Sequence, residues 1–142
     1  MPTASRTIEI AAPIESVFAF FTDPSKDPLW RSGVKEMSAE GAPAVGGIVH
    51  QAVAGPGGRS IVADIRITEY APPVRYAFAT IAGPVRPVGG YTLTETPAGT
   101  SVTFALSAEV AGVKKLLMGA AVQRSMDGEM AALDRAKALL ES

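Results

Sequence analysis

His50 is the only histidine in the sequence, and so the one imidazole whose ordinary pKa lies near neutrality. That makes it the first candidate for proton transfer. It sits in Ile48-Val49-His50-Gln51-Ala52-Val53, where alternate residues share a strand face. If Ile48 and Ala52 face the core, His50 does too; if Val49, Gln51 and Val53 do, it faces solvent. Tyr70, Tyr76 and Tyr91 each join an apolar ring to a hydroxyl, which suits either a pocket wall or a core position with the hydroxyl at the surface. Gln123 falls among apolar residues at helical spacing, where an amide needs a partner: a ligand oxygen, a neighbouring backbone group, or water at the rim. Gly119, one turn earlier, leaves room for close approach or marks a bend. Asp64 and Arg66 alternate with Ile61, Ala63, Ile65 and Ile67 and read as a solvated cross-strand pair. Arg86 and Glu109 read as solvated charges near strand ends.

The chemistry that these residues exclude is broader. With no cysteine, thiolate catalysis, disulfides and Cys-based metal sites are absent. One histidine and no Glu-x-x-His or His-x-x-x-His spacing argue against a transition metal, and no metal or other cofactor is expected. Gly55-Pro56-Gly57-Gly58 lacks the Lys-Ser/Thr of a phosphate loop and reads as a hairpin turn. No serine stands in a recognisable nucleophile setting. Any reaction would rest on holding a substrate and on one or two proton donors.

The elements that must position these groups follow from periodicity. Arg6–Ala12 alternates as a strand, and Pro13 opens a helix carrying Val17, Phe18, Phe20 and Phe21 on one face. Asp23-Pro24 ends it, and a second short helix over Pro24–Trp30 carries Lys26, Asp27 and Arg31 as solvated positions. Strands are expected at Val34–Glu40, Ile48–Ala54, Ser60–Tyr70, Arg75–Ile81, from Tyr91, and at Ser101–Val110, with a loose connection over Gly83–Gly90. From Gly112 to Leu140 the period is helical, with Leu116, Ala120, Gln123, Met126, Met130, Leu133 and Leu140 near one face and Asp127, Glu129, Arg135 and Lys137 mostly off it. Alternating strands imply a sheet with one covered face, and only the C-terminal helix is long enough to cover it.

The 142 residues suit a single domain over 1–142, which buries roughly 70% of its unfolded surface. A net charge of −1 offers no field for nucleic acid. The polar start, Met1 to Arg6, is unlike a signal peptide, and no run nears the roughly 18 apolar residues of a membrane span, so the expected location is the cytoplasm.

Five stretches carry a resemblance. They are Ile8-Glu9-Ile10-Ala11-Ala12-Pro13-Ile14-Glu15-Ser16-Val17-Phe18; Asp23-Pro24 with Pro28-Leu29-Trp30; Val45-Gly46-Gly47; Ile67-Thr68-Glu69-Tyr70-Ala71-Pro72-Pro73-Val74-Arg75-Tyr76; and Gly99-Thr100-Ser101-Val102-Thr103. In this order, across nearly the whole chain, they resemble the START-like (SRPBCC) superfamily, specifically its polyketide cyclase/dehydrase and lipid-transport group. The motifs set turns and strand exits and do not report a reaction.

The resemblance implies an α+β helix-grip fold. A curved antiparallel sheet of about seven strands, two short helices and one long C-terminal helix would enclose a cavity. The expected partner is a small, mostly apolar ligand such as a lipid or polyketide, with no nucleic acid and no integral membrane segment; the oligomeric state is open. The residues expected at the ligand are Trp30, Ile65, Tyr76, Phe78, Tyr91, Phe104, Ala120 and Gln123, with His50 as the one catalytic candidate. Aromatics at 6% of residues favour an aliphatic or small ligand over a fused-ring one. Two other readings stand beside binding or lipid carriage: a cyclase/dehydrase-type enzyme working by positioning and proton transfer, and a co-chaperone-like interaction module.

Overall fold

Apolar alternation builds the sheet. In a computed structural model, which describes residues 2–109 and 114–142, β1 (Thr3–Ile10) turns Ile8 and Ile10 inward, and β8 (Gly99–Ser107) turns Thr100, Val102, Phe104 and Leu106 inward. Between them in sequence come β2 (Val34–Ala39), β3 (Ile48–Ala54), β4 (Ser60–Val62), β5 (Ile65–Ala71), β6 (Arg75–Thr80) and β7 (Val88–Thr96). The strand order is β1-β8-β7-β6-β5-β3-β2, with β4 paired to β3, and every pairing is antiparallel.

Among the described residues there are three α-helices: α1 (Ile14–Thr22), α2 (Asp27–Trp30), which follows a 3₁₀ turn at Pro24–Lys26, and α3 (Lys114–Leu140). On α1, Ile14, Val17, Phe18 and Phe21 are buried, the spacing of one helical face. On α3 the buried stripe is Val122, Met126, Met130, Leu133 and Ala136. Each large side chain in such a stripe contributes about 1.5–3 kcal/mol through burial. The curved sheet and α3 close on each other in the expected helix-grip arrangement.

Several boundaries differ from the sequence expectation. The strand expected over Ser60–Tyr70 is two strands, so the sheet has eight rather than seven. The break falls at Ala63-Asp64, where the Asp64 carboxylate accepts the backbone N–H of Gln51 at 3.0 Å in place of a ladder carbonyl. Asp64 is therefore tied to β3 and is not a partner of Arg66. A register shift between Ile67 and Glu69 then carries Tyr70 inward, where it meets Phe18 at 5.8 Å between ring centroids. The connection expected to run loosely to Gly90 ends earlier, because β7 begins at Val88. A Cβ at Gly90 would sit 2.6 Å from the Tyr76 carbonyl oxygen, so glycine here permits close strand approach rather than a loop. The last strand stops at Ser107, short of Val110. Val110, the expected helix start at Gly112 and the side chain of Leu116 lie outside the described residues.

Candidate functional site

Cross-strand register lays the floor of a cavity. Tyr76 on β6 pairs with Tyr91 on β7, and Tyr91 pairs with Phe104 on β8. Directly paired residues share a sheet face, so the three rings form a row on the concave side. Tyr91 lies 4.4 Å from Phe104 and 6.2 Å from Tyr76, at interplanar angles of 11° and 17°. Phe21 of α1 rests against Tyr91 at 4.9 Å. Each such contact adds about 0.5–1.5 kcal/mol beyond the area buried.

Between this floor and α3 lies a cavity of about 330 Å³. Ile65, Phe78, Leu106, Val122 and Met126 supply apolar wall. One end is polar. Arg31 donates from Nε to Glu129 Oε2 at 2.6 Å and from Nη2 to Glu129 Oε1 at 3.3 Å. Its Nη1 donates to Asp27 Oδ2 at 2.9 Å and to Gln51 Oε1 at 3.0 Å. Gln51 in turn donates from Nε2 to the Ala63 carbonyl at 2.8 Å. The Asp27, Arg31 and Glu129 side chains are only 5%, 15% and 19% exposed. Three parts of the fold thus converge: α2 with the residue after it, the inner face of β3, and the second half of α3.

Burial sets the electrostatics. It pushes the Asp27 carboxyl up to about 6, and the attraction of Arg31 offsets only part of that. For Arg31, burial works against the cation, but the Glu129 and Asp27 carboxylates outweigh it and raise its pKa above the ordinary value. The Tyr91 phenol is raised well above its ordinary value by burial, with Asp27 adding to the effect. Tyr76 is pushed up to about 12 by the same two causes. Both phenols stay protonated at neutral pH.

The structure gathers Ile65, Tyr76, Phe78, Tyr91 and Phe104 around one space. Three other expected ligand residues stand elsewhere. Trp30 is fully buried, edge-on to Phe21 at 5.5 Å and to Phe104 at 6.3 Å, and is not part of the cavity wall. Ala120 is exposed, because the buried stripe of α3 runs through Val122 and Met126 and leaves position 120 on another side. Gln123 faces β1: its Nε2 donates to the Thr3 carbonyl at 2.6 Å and its Oε1 accepts from the Thr3 amide at 3.2 Å. Its amide partners are the Thr3 backbone and the Asp127 carboxylate, whose Oδ1 accepts from Nε2 at 3.0 Å. For His50 the second strand phase holds. Val49 and Gln51 are buried, and the imidazole is half exposed on the outer face between Asp64, with Nδ1 at 3.0 Å from Oδ2, and Glu40. Both contacts raise its pKa, that of Asp64 most.

Four polar cavity residues, Asp27, Arg31, Gln51 and Glu129, are missed by sequence reasoning as site residues. The sequence pattern puts Asp27 and Arg31 at solvated positions and Glu129 off the apolar face. The spacing of Val122, Ser125, Met126, Glu129 and Met130 does carry a signal, since all five fall on one side of a helix and all but Met130 line the cavity. Asp27 and Arg31 offer only an i,i+4 ion pair, which reads as surface by default.

A second, wider cleft of about 710 Å³ adjoins the cavity, with Thr22, Pro24 and Tyr76 common to both. It lies outside α1, against the β2–β3 connection and the Pro72-Pro73 turn. Many of its walls, among them Glu15, Ala19, Glu40, Gly41 and Pro72, are exposed, so its space is largely open to water. The inner cavity is the better enclosed site.

Comparison with known proteins places the fold. The chain superposes on the crystal structure of TTHA0849 from Thermus thermophilus with a TM-score of 0.75 at 17% identity, covering 96% of this chain and 93% of that one. It matches CV1439 from Chromobacterium violaceum with a TM-score of 0.74 at 18% identity, over 100% of this chain and 99% of that one. The di-domain ARO/CYC StfQ of the steffimycin biosynthetic pathway matches with a TM-score of 0.78 at 14% identity, over 98% of this chain and 50% of StfQ. No curated protein matches in sequence. Among the described residues no helix is long and apolar enough to cross a membrane. The family described as polyketide cyclase / dehydrase and lipid transport matches residues 1–141. The chain belongs to that family, and it is a START-like protein.

Proposed function

We propose that this protein binds a small, mostly apolar molecule in the cavity between the sheet and α3, as one helix-grip domain over residues 1–142 acting in the cytoplasm. The observation that carries this reading is a partly open space of about 330 Å³ with aromatic and aliphatic walls and a few convergent polar groups at one end. Small-molecule sites have that composition, and the volume falls at the lower end of their roughly 300–1,000 Å³ range. The family and the fold support a ligand-binding role.

Native mass spectrometry of protein purified without detergent, with extraction of whatever co-purifies, tests the reading directly. Titration with the apolar dye Nile red provides a second readout. A bound apolar passenger, or saturable Nile red binding that Ala121→Trp abolishes without lowering the melting temperature, is the expected result. An empty protein that also fails to bind Nile red overturns it.

One observation favours an enzyme of the cyclase/dehydrase type as the second reading. Asp27 is buried at the cavity with a pKa of about 6, a value suited to exchanging a proton at neutral pH. His50 lacks that setting, because it stands on the outer face of the sheet.

A further inference from the structure

The head group of the ligand can be read from what the polar end leaves unsatisfied; this step rests on the cavity reading above. Among the described residues that line the cavity Arg31 is the only cation, and it is already engaged. A guanidinium has five N–H groups. Two are directed at Glu129, one at Asp27 and one at Gln51, so one Nη2 hydrogen has no partner among the described residues. Gln51 accepts from Arg31 and donates one of its two Nε2 hydrogens to Ala63.

The acceptors are in surplus. Asp27 Oδ1 receives no hydrogen bond among the described residues, although the side chain borders the cavity. Each Glu129 oxygen accepts one hydrogen bond from Arg31 and keeps further lone-pair capacity. One guanidinium against two carboxylates gives this end a formal charge of −1. A ligand carboxylate placed there would stand beside two like charges in a poorly solvated space; the remaining donors, one guanidinium N–H, a Gln51 amide N–H and the Tyr76 and Tyr91 hydroxyls, bring no second cation to offset them.

We infer that the cavity selects a small apolar molecule whose polar end donates hydrogen bonds, an alcohol, phenol or protonated amine, and that it rejects carboxylates. The donor goes to Asp27 and Glu129. The apolar remainder lies along the Tyr76–Tyr91–Phe104 row under Val122 and Met126. A free fatty acid is the wrong ligand for this site, although its chain would suit the walls.

A series with one chain length isolates the head group. 1-Octanol, octylammonium and octanoate are titrated at pH 7 as competitors of Nile red on the intact protein. Octanol or octylammonium is expected to displace the dye at a concentration at least tenfold below octanoate. The two donors, compared with each other, tell a neutral head from a cationic one. Octanoate binding as tightly as octanol or more so overturns the inference while leaving the cavity reading in place. Failure of Nile red to bind wild-type protein is a failure of the cavity reading, and this inference falls with it. In Glu129→Gln, which removes a negative charge and keeps the side chain's size, octanoate should gain at least tenfold relative to octanol. An unchanged ratio in a variant with a cooperative melt also overturns the inference.

Discussion

Asp27→Asn should stabilise the protein at neutral pH, even though Asp27 forms an ion pair with Arg31. The carboxyl has an ordinary pKa of 3.8 and one of about 6 in the fold, because its burial outweighs its attraction to Arg31. A folded-state value above the unfolded one means that the bound proton favours the folded form. The favourable contribution is complete below about pH 3.8 and is lost as pH rises through 6. At about 1.36 kcal/mol per pH unit, the interval from 3.8 to about 6 corresponds to about 3 kcal/mol lost between pH 4 and pH 7. Asparagine keeps the shape, and its carbonyl still accepts from Arg31 Nη1, but it carries no charge to desolvate. The value of about 6 is already net of the attraction and the hydrogen bond of Arg31, so no further loss is subtracted for them. The variant should therefore match wild type near pH 4 and exceed it by up to about 3 kcal/mol at pH 7. Urea unfolding followed by circular dichroism at half-unit steps from pH 4 to 7 measures this. The difference between the two proteins cancels the titration of carboxylates remote from Asp27, though not that of Glu129, which shares Arg31 with it. A variant less stable than wild type at pH 7, by an amount that does not change down to pH 4, would refute the reasoning. It would show that the ion pair with Arg31 fully offsets the burial of its carboxylate.

Two further outcomes test the placements reported above. His50, held by Asp64 and Glu40, should titrate above its ordinary value of 6.5 in an NMR pH series. Its stabilising contacts are present below that value and are lost as pH rises through the raised one; a midpoint at or below 6.5 counts against them, and Asp64→Asn should bring the midpoint down. Gln123→Ala removes both hydrogen bonds to Thr3 and should cost about 1 kcal/mol of stability while leaving Nile red affinity unchanged; a loss of affinity would return Gln123 to the cavity.

Most of the fold was legible because it rests on local pattern. The 3.6-residue period of Ile14–Phe21 and the two-residue period of β1, β3 and β8 each follow from which side chains must leave water; on α3 the period picked out Met126, Met130 and Leu133 but also took in Ala120, which is exposed, and Gln123, which faces β1. Tyr76, Tyr91 and Phe104 could each be picked out from its own strand, but their alignment in one row depends on the register of β6, β7 and β8. Proline and glycine marked the ends of α1 and the β3–β4 turn correctly. At Gly89-Gly90 the same signal misled, because close approach between strands and a loop both favour glycine.

What tertiary structure alone decided is the phase of each element and the meeting of distant charges. Periodicity shows that one face of β3 is buried but not which one, and pairing with β5 and β2 resolved it by turning Gln51 in and His50 out. A rotation of α3 by less than one residue's turn separates Glu129 in the cavity from Glu129 in solvent, and packing against the sheet fixed that rotation. Asp27 and Arg31 looked like a surface pair until Glu129, 98 residues beyond Arg31 in the chain, supplied the partner that makes burying the guanidinium tolerable. The sequence determined the elements, the family and the apolar walls, because these depend on neighbours along the chain. The polar end, and with it the chemistry of the site, exists only once residues from α2, β3 and α3 are brought together.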